Sequence, residues 1–363
     1  MNRLSCLIAL LTLLIFTRLD ATLAETQSLE KSYQLALDKW SLEIRIATTA
    51  EDRLKILDKR PDASPFARKI WASISSSLNE EWTLEPVAWF LRTTPGLHAI
   101  DSSGTAAPIF TQENDAIYKA IETYHLKSPK LIPICFALAF SPSPRSLAVL
   151  EKIQTSNPDL KTQGVAALGV AMQLKALGSE GEIMGKRLTR LRKAIIQSAD
   201  VQIGDTTVAK LAEDELYIIQ FLSRGRVAPN LVGVDSGNRP LSLAAHPDKI
   251  IVLLFWNSEI DDAKRILQIT SALQTKFKGR ALAILGVNND PVEKLRALQA
   301  DNTITWPNFS DPENKLAKQY RIGNWPLVYV LDAERKIHYT GAPGSFVEFT
   351  VEALLNELKP TAK

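Results

Sequence analysis

Cysteine is scarce in this chain, and its positions limit the redox chemistry that the protein could perform. The 363 residues contain only Cys6, in an N-terminal apolar stretch, and Cys135, in the apolar run 131–138. A reactive thiol needs an exposed, electropositive setting that stabilises the thiolate. We therefore expect Cys135 to be buried and inert, where it acts as a small hydrophobic residue.

Three carboxylates in one short segment are a second candidate for chemistry. Glu259, Asp261 and Asp262 precede or begin a predicted helix. A helix N-terminus favours negative charge because its first backbone N–H groups have no partner within the helix. The simplest interpretation is helix capping, and the alternative is a hard-cation or acid–base site.

Histidine offers little support for a metal centre. The chain has four histidines, none of them at metal-ligand spacing: His98, His125, His246 and His338. Zinc sites combine histidine and cysteine at characteristic spacings, which are absent from this sequence. We therefore expect no metal site and no cofactor.

The N-terminus predicts an export signal. Arg3 supplies a positive start, residues 4–17 carry no charge, and Ala24 ends a group of small residues that suits signal peptidase. This apolar run is shorter than the ~20 residues that a membrane-spanning helix needs. We expect residues 1–24 to be a signal peptide cleaved near Ala24, which places the protein in the periplasm or outside the cell without a stable membrane span. The mature chain would then keep a single cysteine and no internal disulfide.

Charge and composition bear on the class of partner and on the number of domains. The chain has 43 basic and 40 acidic residues, a net charge of +3 and 45% hydrophobic residues. No basic face of the kind that neutralises phosphates is evident, so we do not expect a nucleic-acid partner. This length predicts about two domains.

Residues 25–224 show the sequence signals of a helical domain. Pro65 predicts the first turn of one helix, because proline is favoured at that position. Another helix is predicted around residues 115–125, with Ile117, Ile121 and Tyr124 on one face. Since signals for β-hairpins are few, we predict an all-α layer.

The pattern changes at residue 225, from helices alone to alternating strands and helices. Apolar β-branched runs predict strands at 231–234, 240–243, 250–255, 281–287, 327–331 and 336–340, with an extended piece at 304–309. Helical periodicity predicts helices at 261–277, 291–300, 311–320 and 346–358. The fold class is therefore α plus α/β, with a helical domain at 25–224 followed by an α/β domain at 225–363.

Several motifs occur in this second domain in a recognisable order: Ala228-Pro229, Pro240–Leu243, Leu254–Trp256, Arg321–Pro326 and Val328–Asp332. With the order of elements, they resemble the thioredoxin-fold redoxin families, namely AhpC/TSA and the TlpA/ResA type of exported thiol–disulfide oxidoreductase. The resemblance implies a central mixed sheet flanked by helices, and it does not extend to the helical domain.

The same resemblance shows what this chain lacks. In these families the strand ends in Phe-Trp, and a Cys-x-x-Cys follows after three residues. Here Ile260 and Ala263 occupy the two cysteine positions. Dithiol chemistry needs a thiolate and a second sulfur that resolves the mixed disulfide. The resemblance therefore implies a redox-inactive relative that also lacks a peroxidatic cysteine.

A proline motif gives the binding hypothesis. In the resembled families the proline at the position of Pro326 is cis and lies beside the dithiol, and its preceding residue pairs through its backbone with an extended substrate. That residue is Trp325 here, and together with Trp256 it could line an aromatic groove. We predict that this groove binds a protein or peptide segment by strand-like pairing. The alternative is that both rings are simply core or lid.

Three functions compete on this basis. The first, which we expect, is a non-catalytic exported binding or scaffold protein that uses the groove or the helical domain. The second is a thiol–disulfide oxidoreductase or antioxidant protein that acts through Cys135 or through the thiol of a partner. The third is an enzyme of another class that uses the acidic segment, and no catalytic motif in the sequence supports it.

Overall fold

The chain forms two compact units. A computed structural model describes residues 2–47, 49–100, 104–178, 181–260 and 262–358. The units are Met1–Glu213 and Asp214–Lys363. The predicted boundary at 224/225 lies later in the chain than this one, because Tyr217, Ile218 and Leu222 pack into the core of the second unit.

Helices dominate the first unit. Its helices are α1 Asn2–Ile46, α2 Ala50–Leu57, α3 Ser64–Ile74, α4 Leu84–Thr93, α5 Thr111–Ala120, α6 Ile132–Ala139, α7 Pro144–Ser156, α8 Leu160–Leu177, α9 Gly181–Ser198 and α10 Val208–Tyr217, the last of which crosses the boundary. Two small antiparallel hairpins accompany them: β1 His98–Ile100 with β2 Ala106–Pro108, and β3 Gln202–Ile203 with β4 Thr206–Thr207. The predicted helical domain is thus confirmed, with these hairpins as minor additions.

A π-helical turn changes one predicted face. Helix α5 continues as a π turn over Ile121–His125. Ile117 and Ile121 are buried as predicted, whereas the Tyr124 side chain is 62% exposed. A π turn contains more residues than an α turn. Each residue of a π turn therefore rotates the helix by a smaller angle, which takes Tyr124 off the apolar face.

The core of the first unit surrounds α8. This helix packs against α6, α7 and α9, and it is buried along most of its length. Gly169 permits the close approach, since a Cβ there would lie 2.9 Å from a methyl group of Leu150. No helix within the described residues is both long and apolar enough to cross a membrane.

The second unit is an α/β domain. Its strands are β5 Val232–Val234, β6 Pro240–Ser242, β7 Ile250–Trp256, β8 Leu282–Asn288, β9 Asn308–Ser310, β10 Leu327–Leu331 and β11 Ile337–Gly341. Its helices are α11 Ala263–Lys276, α12 Val292–Ala300, α13 Lys315–Gln319 and α14 Ser345–Glu357. Every predicted element of this domain is present, with shifts at the ends.

Five of these strands form one mixed sheet in the order β11-β10-β7-β8-β9. Strands β7, β8 and β9 are parallel, and β10 runs antiparallel to both β7 and β11. All of β7 is buried, because it is the central strand and both faces of the sheet are covered. Successive side chains of a strand point to opposite faces, so Leu254 and Trp256 enter one apolar cluster while Leu253 and Phe255 enter the other.

Candidate functional site

The segment that joins β7 to α11 lies at the carboxyl end of the central strand, where open α/β sheets usually bind ligands. It contains Ile260 and Ala263, which the sequence resemblance assigns to the two cysteine positions of the family. Ile260 is half-buried and packs against the core cluster that contains Trp256. Ala263 is the first residue of α11, and its N–H donates to the Ile260 carbonyl at 3.0 Å. Ile260 is therefore held in place by an apolar contact, and Ala263 is held by its hydrogen bond at the start of the helix.

The buried carboxylate of Asp290 holds this segment in place through hydrogen bonds. Asp290 follows β8 and is only 4% exposed. Its oxygens accept the Ser258 N–H at 2.9 and 3.1 Å and the Ser258 hydroxyl at 3.0 Å. The Asn288 side-chain amide also donates to it at 2.8 Å. Hydrogen bonds to a charged acceptor are stronger than neutral ones, so Asp290 ties the β7–α11 segment to the end of β8.

The indole of Trp256 extends this polar network. Trp256 is fully buried, and its Nε1–H donates to Asn308 Oδ1 at 2.9 Å. Asn308 is also fully buried, and its amide donates to the Trp306 carbonyl at 2.8 Å. A buried indole N–H needs such a partner. Gly286 provides the space, because a Cβ there would overlap Asn308 Oδ1 and lie 2.9 Å from Trp256 Nε1.

Two acidic residues of the segment, Glu259 and Asp262, are exposed. Glu259 is exposed, and its N–H donates to Asn257 Oδ1 at 3.0 Å. Asp262 occupies the N-cap position of α11 but forms no side-chain cap. Its carboxylate instead accepts two hydrogen bonds from Arg265, at 2.8 and 3.2 Å. The predicted capping role is therefore wrong for Asp262, because an arginine one turn later captures the carboxylate. Asp261 lies outside the described residues.

A metal site is the other interpretation of the acidic segment. Across the part of the chain that the structure describes, no group of three or more His, Cys, Asp or Glu side chains is placed to hold a metal ion. The pair between Asp262 and Arg265 is largely exposed, and pairs of this kind contribute little to stability.

The bend before β10 approaches the core from the other face of the sheet. The Trp325–Pro326 peptide bond is cis, and both residues are half-buried. The Trp325 ring meets the Phe255 ring edge-on, with centroids 6.3 Å apart. Arg321 supports the bend by pairing with Asp214 at 2.6 Å.

A second contact holds the same bend in place. The Arg321 guanidinium lies 4.2 Å from the centroid of the Tyr217 ring, a cation–π contact. Arg321 has a positive φ of 52°, a conformation that few non-glycine residues adopt. The ion pair and the ring contact offset the cost of this conformation.

This arrangement corrects the predicted aromatic groove. Trp256 belongs to the core cluster on one face of the sheet, whereas Trp325 packs beside Phe255 on the opposite face. The two rings cannot line one surface, because adjacent strand residues such as Phe255 and Trp256 point in opposite directions. The alternative interpretation therefore holds for Trp256, which is core. Trp325 and Pro326 remain partly open to solvent.

Cys135 lies in α6 of the helical unit and is completely buried. It forms no disulfide. Burial raises the pKa of Cys135 to about 12, because an apolar environment disfavours the thiolate. The prediction that Cys135 is buried is confirmed, and the prediction that its thiol is unreactive stays a prediction.

The buried polar residues of the network are the part of the site that sequence reasoning missed. Asn288 is the last residue of the apolar strand β8, and Asn289 and Asp290 follow it directly. A run of polar residues at the carboxyl end of a buried strand was the available signal, since parallel strands place such residues beside one another. Asn308 was harder to predict, because it sits inside an apolar extended segment.

Comparison with known proteins supports this description of the second unit. Residues 224–340 match the AhpC/TSA family. The thiol-disulfide oxidoreductase ResA of Bacillus subtilis (strain 168) is 21% identical over 140 residues, which are 38% of this chain and 78% of the relative.

Solved structures match a similar share of this chain. The thioredoxin domain of a thiol-disulfide oxidoreductase from Bacteroides vulgatus has 24% identity and a TM-score of 0.34, and the match covers 37% of this chain and 99% of that domain. A thiol:disulfide interchange protein from Bacteroides sp. has 25% identity and a TM-score of 0.34, with 38% of this chain and 93% of that protein covered. Because the family match spans the motifs and the mixed sheet described above, the C-terminal unit is a thioredoxin-like domain that resembles the AhpC/TSA redoxins.

Proposed function

We propose that this chain is an exported, non-catalytic relative of the thiol–disulfide oxidoreductases, which binds a protein or peptide partner. The observation that supports the proposal is the packing of the β7–α11 segment, in which Ile260 is half-buried and Ala263 begins the helix. The sequence resemblance assigns these two residues to the dithiol positions. Neither side chain can attack a disulfide or a peroxide. The remaining thiol of the predicted mature chain is the buried Cys135.

The binding surface that we propose is the bend at Trp325 and Pro326. An aromatic side chain that is neither fully buried nor fully exposed can add apolar contact when a partner covers it, and tryptophan is enriched at binding hot spots. Arg321 and its contacts with Asp214 and Tyr217 support the bend, which limits the ordering cost of binding. Strand-like pairing of an extended segment along this bend is the expected mode.

Export is proposed from the N-terminal pattern alone. The charge at Arg3, the uncharged run 4–17 and the small residues before Ala24 support a cleaved signal. Cell fractionation combined with N-terminal sequencing tests this step. A mature N-terminus near Glu25 is expected, and a cytoplasmic protein that keeps its first residues would contradict it.

The absence of catalysis is tested by assays of insulin disulfide reduction and hydroperoxide consumption. We expect no turnover above the uncatalysed rate by the wild-type protein or by Cys135→Ser. The informative variant is Ile260→Cys combined with Ala263→Cys, which restores both sulfurs, with Ile260→Cys alone as its matched control. Gain of insulin reduction by the double variant would locate the lost site, because the helix N-terminus can stabilise the new thiolate. Turnover by the wild-type protein that disappears on thiol alkylation or in Cys135→Ser would instead favour the oxidoreductase alternative.

Partner binding needs a separate test. Affinity purification from the periplasm should recover a partner with the wild-type protein and lose it with Trp325→Ala. Trp82→Ala is the matched control, because Trp82 is also half-buried and lies in the helical unit. Equal recovery by all three proteins would exclude the bend as the binding surface.

A further inference from the structure

The part of helix α1 after residue 22 has two apolar faces, and within its unit only one of these faces is covered. Thr26 and Tyr33 are buried on the inner face, where α1 packs against α3 and α4. On the same side, the Trp40 indole donates to the Ile56 carbonyl of α2 at 2.7 Å. These contacts account for the docking of α1 in the helical unit.

The outer face carries large apolar side chains in solvent. Leu35, Leu42 and Ile46 are 71%, 51% and 67% exposed. Their spacing of seven and then four residues places them along a single stripe of the helix, the spacing that helices use to pair with other helices. We call Leu35, Leu42 and Ile46 the outer stripe. All three lie after the predicted signal cleavage at Ala24, so the stripe would belong to the mature protein.

Charged residues beside the outer stripe indicate what covers it. Asp38 and Lys39 are adjacent, exposed and placed between Leu35 and Leu42. The Asp38 carboxylate accepts a hydrogen bond from Gln34 at 2.9 Å, which holds it at the surface. A two-fold axis that passes between Asp38 and Lys39 would set each Leu35 against the Leu42 of a second copy. The same axis would set each Asp38 against a Lys39, so the surface is complementary to itself in charge.

The opposite orientation is unfavourable. In a parallel, in-register pair each Asp38 would face another Asp38, and each Lys39 would face another Lys39. Lys31, which flanks the stripe on its N-terminal side, would also face its own equivalent. Like charges in these positions are destabilising, and proteins use such clashes to select orientation.

We propose that the outer stripe of α1 pairs antiparallel with the outer stripe of a second copy of this chain, which makes the protein a two-fold symmetric dimer. The Leu35–Leu42 contacts supply the apolar burial, and the Asp38–Lys39 pairs fix the orientation and the register. This interface is separate from the bend at Trp325 and Pro326, so either proposal can fail without the other.

The test is the mass of the protein, purified from an exporting host, by sedimentation velocity over a wide range of concentrations. The wild type is expected to dissociate from dimer to monomer on dilution. Leu35→Glu combined with Leu42→Glu should remain monomeric throughout. Ile196→Glu is the matched control, because Ile196 is an 83% exposed apolar residue on a different helix, and it should dimerise like the wild type. Circular dichroism checks that all variants keep their helix content.

A charge exchange tests the register. Asp38→Lys replaces both cross-pairs with lysine–lysine contacts, so the dissociation constant should rise about tenfold or more. Adding Lys39→Asp to that variant recreates both pairs in reverse and should restore the wild-type constant. A wild type that is monomeric at every concentration overturns the proposal, as does a dimer that the two glutamates leave intact or a charge exchange that fails to restore pairing. A monomeric wild type that binds anionic lipid vesicles through Leu35 and Leu42 would assign the stripe to a membrane surface and equally overturn the dimer.

Discussion

The sequence resemblance places the family's dithiol at the β7–α11 segment and its cis proline at the bend before β10, and these two regions are built in opposite ways. The segment has an exposed acidic exterior and is tied down by the buried carboxylate of Asp290. The bend has an aromatic exterior and is supported by an ion pair and a cation–π contact of Arg321. The difference is consistent with our proposal that the segment is structural and that the bend offers a surface to a partner.

The two tryptophans should separate these regions most clearly. Trp256→Ala removes a fully buried ring and leaves Asn308 without its indole donor, so we expect a loss of about 3–5 kcal/mol in the free energy of unfolding. Trp325→Ala removes a half-buried ring, and we expect a loss of about 1–2 kcal/mol. Urea denaturation measures both values. Equal losses would remove the distinction between a structural and an accessible tryptophan.

Gly286 tests how tightly the network beneath the segment is packed. Gly286→Ala places a methyl group against Asn308 Oδ1 and near Trp256 Nε1. Overpacking of this kind costs about 1–3 kcal/mol, and we expect a value at the upper end because both neighbours are buried. Gly323→Ala is the matched control at the bend, since a Cβ there meets no atom within 4 Å. If Gly286→Ala left the free energy of unfolding unchanged, the network would be shown to accommodate the added methyl group.

Asp290 tests whether the carboxylate holds the segment. Asp290→Asn keeps the shape of the side chain but loses a charged acceptor for the Ser258 N–H and hydroxyl, which should cost about 1–3 kcal/mol. Amide hydrogen exchange of residues 257–260 should become faster at the same time. Asp262→Ala removes only an exposed pair with Arg265, and a change within about 0.5 kcal/mol is expected. Slow exchange in Asp290→Asn would mean that other contacts secure the segment.

The pH dependence of stability should come from the helical unit rather than from either region, and we expect it to be the smallest of these effects. Glu30 of α1 lies near Glu85 and Arg92 of α4, and burial followed by repulsion from Glu85 raises the pKa of Glu30 from 4.5 to about 7. A carboxyl group whose pKa is raised by folding favours the folded state most below its unfolded pKa, and this contribution is lost as the pH rises through the folded value.

The free energy of unfolding should therefore fall between pH 5 and pH 8 in the wild type and stay flatter in Glu30→Gln. Chemical denaturation at both pH values measures the difference. A decline of the same size in Glu30→Gln would assign the dependence to another group.

Sequence patterns predicted the elements of the C-terminal unit well because its sheet is buried on both faces. Strand β7 is a continuous run of apolar residues, and such a run is typical of a strand that is buried on both faces. End positions were less accurate: α11 was predicted from residue 261 and begins at Ala263, and the Asp262 carboxylate binds Arg265 instead of a backbone N–H of the helix. The choice between those two partners is made by side-chain geometry, which periodicity does not encode.

The site was predicted only in part for a similar reason. The resemblance to the redoxin families predicts that Ile260 and Ala263 replace two cysteines, and the burial of Cys135 follows from its apolar neighbours. The separation of Trp256 from Trp325 required the strand direction and the face that each residue occupies. A change of one position along a strand moves a side chain to the other face. The groove that we inferred from residue types alone therefore combined two residues that lie on opposite sides of the sheet.

The sequence by itself determined that the C-terminal unit contains no sulfur, that a helical unit precedes it, and that a redoxin-like order of strands and helices follows. Only the tertiary structure decided that Asp290 fixes the β7–α11 segment, that Trp256 is core, and that the outer stripe of α1 lies uncovered within its unit. Composition and local periodicity are properties of neighbouring residues along the chain. Hydrogen bonds between the ends of separate strands, and the exposure of one helix face, depend on distances that arise only when the chain has folded.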